Sequence, residues 1–517
     1  MVNHILLNIS LFILYCYMFK KVRHGLHMLQ LEYYKNDRYL NWKRKNSKQC
    51  FSYRDLVLIL IPLICMFNLK TGLILLMFFS ILLYISRNIY KEKKKMVVTG
   101  RIKRMYITET IIYLIFVILT NFSFWFLLGV DILIIFAYFI PIIINTVNIP
   151  LEKAIQNRFV RKAKNKLKEK KDTIIIGVTG SYGKTSTKYI LSTILNQKYN
   201  VLKTPASFNT KMGIVRTINE YLKPTDQVFV CEMGADQVGE IKELCNLVHP
   251  DYGMITSIGP QHLETFGSLE NIKRTKFELV DSLPETGVAF LNYDDENIKS
   301  MGTSKNKVTY GIKKENDYYA TDIQINEFGS EFVIHTKSKE EIRVKTKILG
   351  EHNIVNIIGA VAIAKELGLT NEQIQLGIKL IKPVEHRLEI KKHSNGTIII
   401  DDAYNSNIKG AEVAVNVLGR FLGRKRILVT PGIVELGEKM YEYNKRFGKQ
   451  AANNCDFAIL VGKKQAEPIN DGLLEAGYDK NKIFIAENFE SAMKKMNELV
   501  DSNTVILLEN DLSDNYL

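Results

Sequence analysis

The sequence predicts an α/β protein preceded by a helical membrane region. Two observations carry this. Apolar runs crowd the first 150 residues, and β-branched segments ending in glycines or carboxylates recur after residue 172. The average composition, 46% hydrophobic and 24% charged, conceals that split. With 517 residues there is room for three domains of ordinary size.

Residues 5–19, 56–69, 72–85 and 107–149 are apolar enough to insert in a bilayer. The last stretch exceeds the roughly 20 residues that one crossing needs, and Gly129-Val130-Asp131 divides it as a turn. About five spans result. Four remain an alternative, because Asn68-Leu69-Lys70 is the sole candidate turn between the short middle pair. No basic segment precedes the first run and no small-residue cleavage site follows it, so a cleaved signal peptide is not expected. Residues 20–54, 87–104 and those after 150 are rich in Lys and Arg. With five spans these regions share one side, which the positive-inside rule makes cytoplasmic. Asp131 reads as a turn residue, and the lack of mid-span charge favours an anchor or lipid-binding module over a transporter. Residues 151–171 read as a basic linker helix, either solvated or lying on the inner leaflet.

The formal net charge of +16 clusters beside the apolar runs, at Lys20, Lys21, Arg23, 43–45, 91–95 and 161–171. That placement fits anionic headgroups and membrane topology, and no nucleic-acid partner is expected. The six cysteines are scattered without a CxxC pair, so neither a zinc site nor a disulfide framework is indicated.

At 174–187 the sequence IIIGVTGSYGKTST runs from a β-branched strand into glycines, a lysine and hydroxyls. Glycines let backbone N–H groups turn onto phosphate, and a following helix from about Ser186 adds its positive end. Lys184 can reach the β- and γ-phosphates and Thr185 can ligate Mg²⁺. The strict P-loop spacing wants glycine five residues before Gly183, where Val178 stands, so the glycines are displaced. Two more strands follow, one ending in CEMGA with Glu232, the other ending in GPQHLE with His262.

Taken with GEHNIVN, HRLE and DDAYNSN further on, these motifs occur in an order that resembles the Mur ligases, and within them the MurF-type branch. The resemblance covers about two-thirds of the chain, from residue 172. It implies a P-loop-type central ATPase domain over 172–382 and a Rossmann-like C-terminal domain over 383–517, behind a membrane region at 1–150 and the linker at 151–171. It also implies ATP and Mg²⁺ as cofactors and an amide bond made through an acyl phosphate. Gly180, Ser181, Gly183, Lys184, Thr185 and Ser186 would hold the phosphates. Thr185 and Glu232 would bind a first Mg²⁺, and His262 with Glu232 would help bind a second. Lys276 matches a lysine that several members carbamylate into a metal ligand. Asn353 and Asn356 would face the nucleotide, and Arg387 with Asp402 would close on it. Asn209 and Glu435 match the substrate region.

The expected partners are a carboxylate acceptor, UDP-linked or lipid-linked, an amino acid or dipeptide such as D-alanyl-D-alanine, and membrane lipids. Three departures bear on substrate. A membrane region stands where soluble members carry a UDP-sugar domain. A family segment usually read GDMxELG has Gly432 for its aspartate. The end, LLENDLSDNYL, replaces a basic, glycine-containing turn. The other readings are a membrane poly-glutamate capsule ligase, an ATP-driven transporter and a non-catalytic scaffold.

Overall fold

The computed structural model describes residues 2–86, 95–120, 125–326, 329–384, 386–403, 408–434 and 436–511. The chain divides into two compact units between Asn157 and Arg158.

The N-terminal unit is helical. Its main elements are α1 (Val2–Leu31), α2 (Asn36–Lys45), α3 (Val57–Phe67), α4 (Leu69–Ser86), α5 (Gly100–Thr120), α6 (Trp125–Ile135) and α7 (Ile140–Lys168). Leu14, Leu26, Leu58, Leu76, Val130 and Ile134 form part of one buried cluster. Asn68 alone separates α3 from α4, and Leu69 and Lys70, expected to share the turn, already belong to α4.

Several expectations change here. Among the described residues one helix, Asn3–Leu31, is long and apolar enough to cross a membrane, or up to two if α6 and α7, bent by 94°, form one span. The expected five spans are therefore not supported by helix length and composition. Gly129-Val130-Asp131 is not a turn but lies inside α6. An apolar run does not reveal where it bends, and a single Gly and Asp are tolerated within a helix whose neighbours bury them. Nor is the unit free of internal charge. Lys21, expected to flank a span, is buried on α1, pairs with Asp55 at 2.6 Å and donates to the Ile134 carbonyl at 2.6 Å. Tyr17 donates to the other oxygen of Asp55 at 2.6 Å. Glu109 and Asp131 are buried, and among the described residues no donor reaches either carboxylate oxygen of the two. The basic stretch after 150 continues α7 to Lys168 instead of starting a helix of its own.

The second unit starts with a parallel sheet in the order β2-β3-β1-β4-β5-β6. Its strands are β1 (Ile174–Thr179), β2 (Val201–Lys203), β3 (Val228–Glu232), β4 (Tyr252–Ile255), β5 (Val288–Asn292) and β6 (Asn306–Tyr310). Continuous apolar runs form β1, β3 and β4 because both faces are covered, as parallel sheets require. The register sets Val178 beside Glu232 and Thr179 beside Ile255. The C-terminal ends of three strands thus converge where β1 enters α8 (Lys184–Leu195).

A small antiparallel sheet follows, β7 (Tyr319–Asn326), β8 (Gly329–His335) and β9 (Glu341–Thr346). The last sheet runs β10-β11-β15-β12-β13-β14 and is parallel except at its β10 edge. It comprises β10 (Glu389–Lys392), β11 (Ile398–Asp402), β12 (Lys425–Thr430), β13 (Phe457–Val461), β14 (Ile483–Ala486) and β15 (Thr504–Glu509).

Candidate active site

The loop between β1 and α8 is shaped by two glycines in the positive-φ region, Gly180 at 150° and Gly183 at 81°. A Cβ on Gly180 would lie 2.1 Å from Thr256 Oγ1 and 3.0 Å from the Ser257 carbonyl, so no side chain fits. The loop is fastened to the segment after β4. Ser181 N donates to the Ser257 carbonyl at 2.7 Å and its hydroxyl to the Gly259 carbonyl at 3.0 Å. Tyr182 N donates to Ser257 Oγ at 3.1 Å. The displaced glycine spacing thus serves a loop that packs on a neighbouring strand end.

Lys184 donates from Nζ to the Gly180 and Ser181 carbonyls at 2.5 and 3.0 Å, which folds its ammonium over the loop. Burial lowers its pKa to about 8, with Glu232 opposing and Arg387 adding to the shift. Ser186 lines a cleft of about 340 Å³ with Asn353, Lys347, Pro383, Arg387 and Leu388. Asn356 sits so close to Gly183 that a Cβ there would come within 3.1 Å of its amide oxygen. Asn353 donates to the Leu349 carbonyl at 2.8 Å.

Glu232, at the end of β3, is the best-partnered group in the site. Thr185 and Asn209 donate to Oε1, each at 3.0 Å, and Lys188 donates to Oε2 at 2.8 Å. Burial alone would raise this carboxyl, but Lys188, Lys184 and the Asn209 amide hold it below the usual carboxylate range. Lys188 was not singled out from the sequence. It lies one turn after Lys184 on α8, so the i, i+4 spacing within GKTSTK could have shown that both face the same way. Its side chain is fully buried, and it also donates to the Ala206 carbonyl.

Lys276 lies on α9 (Leu269–Asp281) and is 2% exposed. Burial pushes its pKa down to about 7, and Lys184 pushes the same way against Glu240, Glu278 and Asp236. His262 starts the short turn Leu263–Phe266 in a left-handed conformation, φ 54°. Its place after β4 puts His262 on the segment that also carries Ser257 and Gly259, the residues that fasten the phosphate loop.

From the C-terminal domain, Arg387 faces two clefts, the one beside Ser186 and another of about 520 Å³ lined by Thr185, Tyr189 and His386. His386 and Leu388 on either side have positive φ, 58° and 50°. Asp402 accepts from Leu388 N at 3.1 Å, and burial pushes its carboxyl up to about 6, partly offset by that N–H and by Arg387. Glu435 and the Tyr404–Asn407 part of DDAYNSN lie outside the described residues. Two of the sequence departures meet in space. Gly432 N donates to Thr430 Oγ1 at 3.0 Å, Thr430 donates to Glu509 Oε2 at 2.5 Å, and Asn510 donates to the Gly432 carbonyl at 2.6 Å.

The donors around the loop suit Mg²⁺ and nucleotide phosphate. Thr185 and Glu232 offer hard oxygen ligands next to backbone N–H groups. No cluster of three His, Cys, Asp or Glu occurs among the described residues, so phosphate oxygens and water would complete the shell.

Comparison with known proteins agrees with this geometry. Residues 178–364 match the Mur ligase middle domain and residues 386–509 the Mur ligase glutamate ligase domain. The UDP-N-acetylmuramoyl-tripeptide–D-alanyl-D-alanine ligase of Bacillus subtilis is 31% identical over 339 residues, covering 65% of this chain and 73% of that protein. The Escherichia coli protein of the same name is 32% identical, covering 56% of this chain and 65% of its own length. Among solved structures, MurF from Acinetobacter baumannii is similar with a TM-score of 0.62 at 26% identity, over 69% of this chain and 77% of that one. MurF from Thermotoga maritima in complex with ADP is similar with a TM-score of 0.61 at 27% identity, over 69% and 80%. The order of motifs, the two matched domains and these relatives together place the chain in the Mur ligase family.

Proposed function

We propose that the protein is a membrane-associated, ATP-dependent acid–amine ligase that makes an amide bond during synthesis of a peptidoglycan or other envelope precursor. The observation that carries this is the bonded set of Thr185, Lys188, Asn209 and Glu232 beside the Lys184 loop. An oxygen of the acceptor carboxylate attacks the γ-phosphorus of ATP, ADP departs, and an acyl phosphate forms. The amine nitrogen then attacks the acyl carbon, phosphate leaves, and the nitrogen loses its proton. Little covalent chemistry falls to the protein in the first step, which needs positioning and charge neutralisation. Lys184 and the loop N–H groups serve the phosphates. Mg²⁺, held by Thr185 and Glu232, would supply further neutralisation. Arg387 and Asp402 meet the nucleotide from the other domain and exclude water from the acyl phosphate. Lys276, with a pKa near neutrality, offers the free amine that carbamylation requires. The amine is D-alanyl-D-alanine or a similar dipeptide or amino acid, and the acceptor is a UDP-linked or lipid-linked carboxylate.

The N-terminal unit would hold the chain at the membrane, with the ligase domains cytoplasmic. Its outward side chains support contact with lipid well beyond α1. Phe67 on α3 is 93% exposed, Ile85 on α4 is 74% exposed, and Ile107, Ile111, Leu114, Ile115 and Ile118 form an exposed stripe on α5. More crossings than the length criterion counts, up to the five read from the sequence, are part of this proposal.

The test uses the full chain in detergent with ATP, Mg²⁺, D-alanyl-D-alanine and UDP- or lipid-linked carboxylates, following ADP and product mass. Acceptor-dependent ADP release with a new amide is expected. Lys184→Ala should cut turnover by at least about 1,000-fold while membrane insertion persists. ADP release without acceptor, or turnover that survives Lys184→Ala, would overturn the reading.

A further inference from the structure

In the N-terminal unit, Arg101 lies in the first turn of α5 and is held rigid on two sides. Its guanidinium carbon lies 3.9 Å from the centroid of the Tyr34 ring, and Nη2 donates to Asn145 Oδ1 at 2.8 Å. Asn145 is itself fixed, donating to the Tyr34 carbonyl at 2.9 Å and to Asn36 Oδ1 at 2.8 Å. Tyr33 and Tyr34 sit in the left-handed region with φ of 56° and 60°. Two consecutive aromatic residues there are strained, and such strain persists where the surroundings over-determine it.

Glu152 attracts this rigid guanidinium at a distance, but among the described residues no carboxylate pairs with it directly. Its Nε is buried and has no acceptor among the described residues. The neighbouring carboxylate, Glu152, is taken by Arg104 through Nε at 2.6 Å and Nη2 at 2.8 Å. Among the described residues Arg101 makes no ion pair. A buried donor left unmade costs about 1–3 kcal/mol. A guanidinium edge matches the paired oxygens of carboxylate and phosphate, and arginine stacks on aromatic rings while doing so.

We infer that Arg101, oriented by Tyr34 and Asn145, binds an oxyanion of the phosphate class at the edge of the helical unit. The phosphate comes from a lipid headgroup or from a soluble phosphate. The site is separate from the nucleotide loop and does not depend on the ligase reading; only the lipid source rests on the membrane proposal.

The full chain is tested in phosphatidylcholine nanodiscs with and without one-tenth phosphatidic acid. After release into detergent, native mass spectrometry counts retained phosphatidic acid. Inorganic phosphate is titrated calorimetrically in parallel. The native protein should retain at least tenfold more phosphatidic acid, or bind phosphate at least tenfold more tightly, than Arg101→Gln, with Arg101→Lys between them. Retained lipid without a phosphate titration assigns the headgroup, and the reverse assigns a soluble phosphate. Arg101→Gln gives up the Tyr34 stack and the Asn145 bond along with the unmade donor, and should still fold and keep its Lys184-dependent ADP release. Equal behaviour of native and Arg101→Gln in both arms, or a lower melting temperature with unchanged lipid retention, overturns the site and makes Arg101 a packing residue. Failure of ADP release with binding intact overturns the ligase reading alone.

Discussion

Glu232 and Asp131 are both carboxylates with almost no solvent exposure, and the molecule treats them in opposite ways. Glu232 ends a strand and receives three side-chain donors, including a buried ammonium. Asp131 lies inside α6 with neither oxygen hydrogen-bonded among the described residues. A buried charge is stable only when paired and fully hydrogen-bonded. The first is therefore a built ionic site, and the second a group retained at a cost to stability. Lys276 falls between them. It is buried like Asp131 but surrounded by opposed charges like Glu232.

The sharpest way to break the contrast is Lys188→Met. It strands Glu232, and urea unfolding should show a loss of about 3–5 kcal/mol. Adding Glu232→Gln should restore most of that stability but no turnover. If Lys188→Met alone is neutral, the pair is not what holds this carboxylate.

Lys276→Met should act in the other direction. The unfolded amine titrates near 10.5 and the folded one at about 7. Between those values the unfolded chain holds a proton that the folded chain lacks, so native stability rises with pH. The substitution removes the burden, raising stability by about 4 kcal/mol at pH 7 and by about 1 kcal/mol or less at pH 10. Melting curves at the two pH values decide it, and a gain that does not shrink by pH 10 would refute the shift.

Asp131→Leu is the smallest effect, a rise of about 1–2 kcal/mol in the thermal stability of the full chain in detergent. A fall would mean that Asp131 has a partner in solution.

The legibility of the sequence follows the same contrast. β1, β3 and β4 could be read because strands covered on both faces are apolar throughout, and their last residues are the chemical ones. Gly180, Gly183, Lys184, Thr185 and Glu232 came with them. Lys188 was missed because a lysine on a helix is usually solvated, and its burial depends on Glu232, 44 residues away. The helical unit was less legible. Hydropathy reports that residues 107–149 are apolar but not where the chain bends, so Asp131 passed for a turn and Glu109 went unremarked. The polar contacts of Lys21 with Asp55 and of Arg101 with Asn145 are made at separations of 34 and 44 residues, beyond the reach of any periodicity.

The fit of Gly180 against Thr256 bears on how such chains can recombine. Residues 180–185 and 254–259 are far apart in the sequence, yet each is the mould of the other. A crossover that brings in a relative's phosphate loop without its β4 exit would pair two surfaces shaped for different counterparts. In a chimera the two segments should travel together, as one inherited module split across the gene.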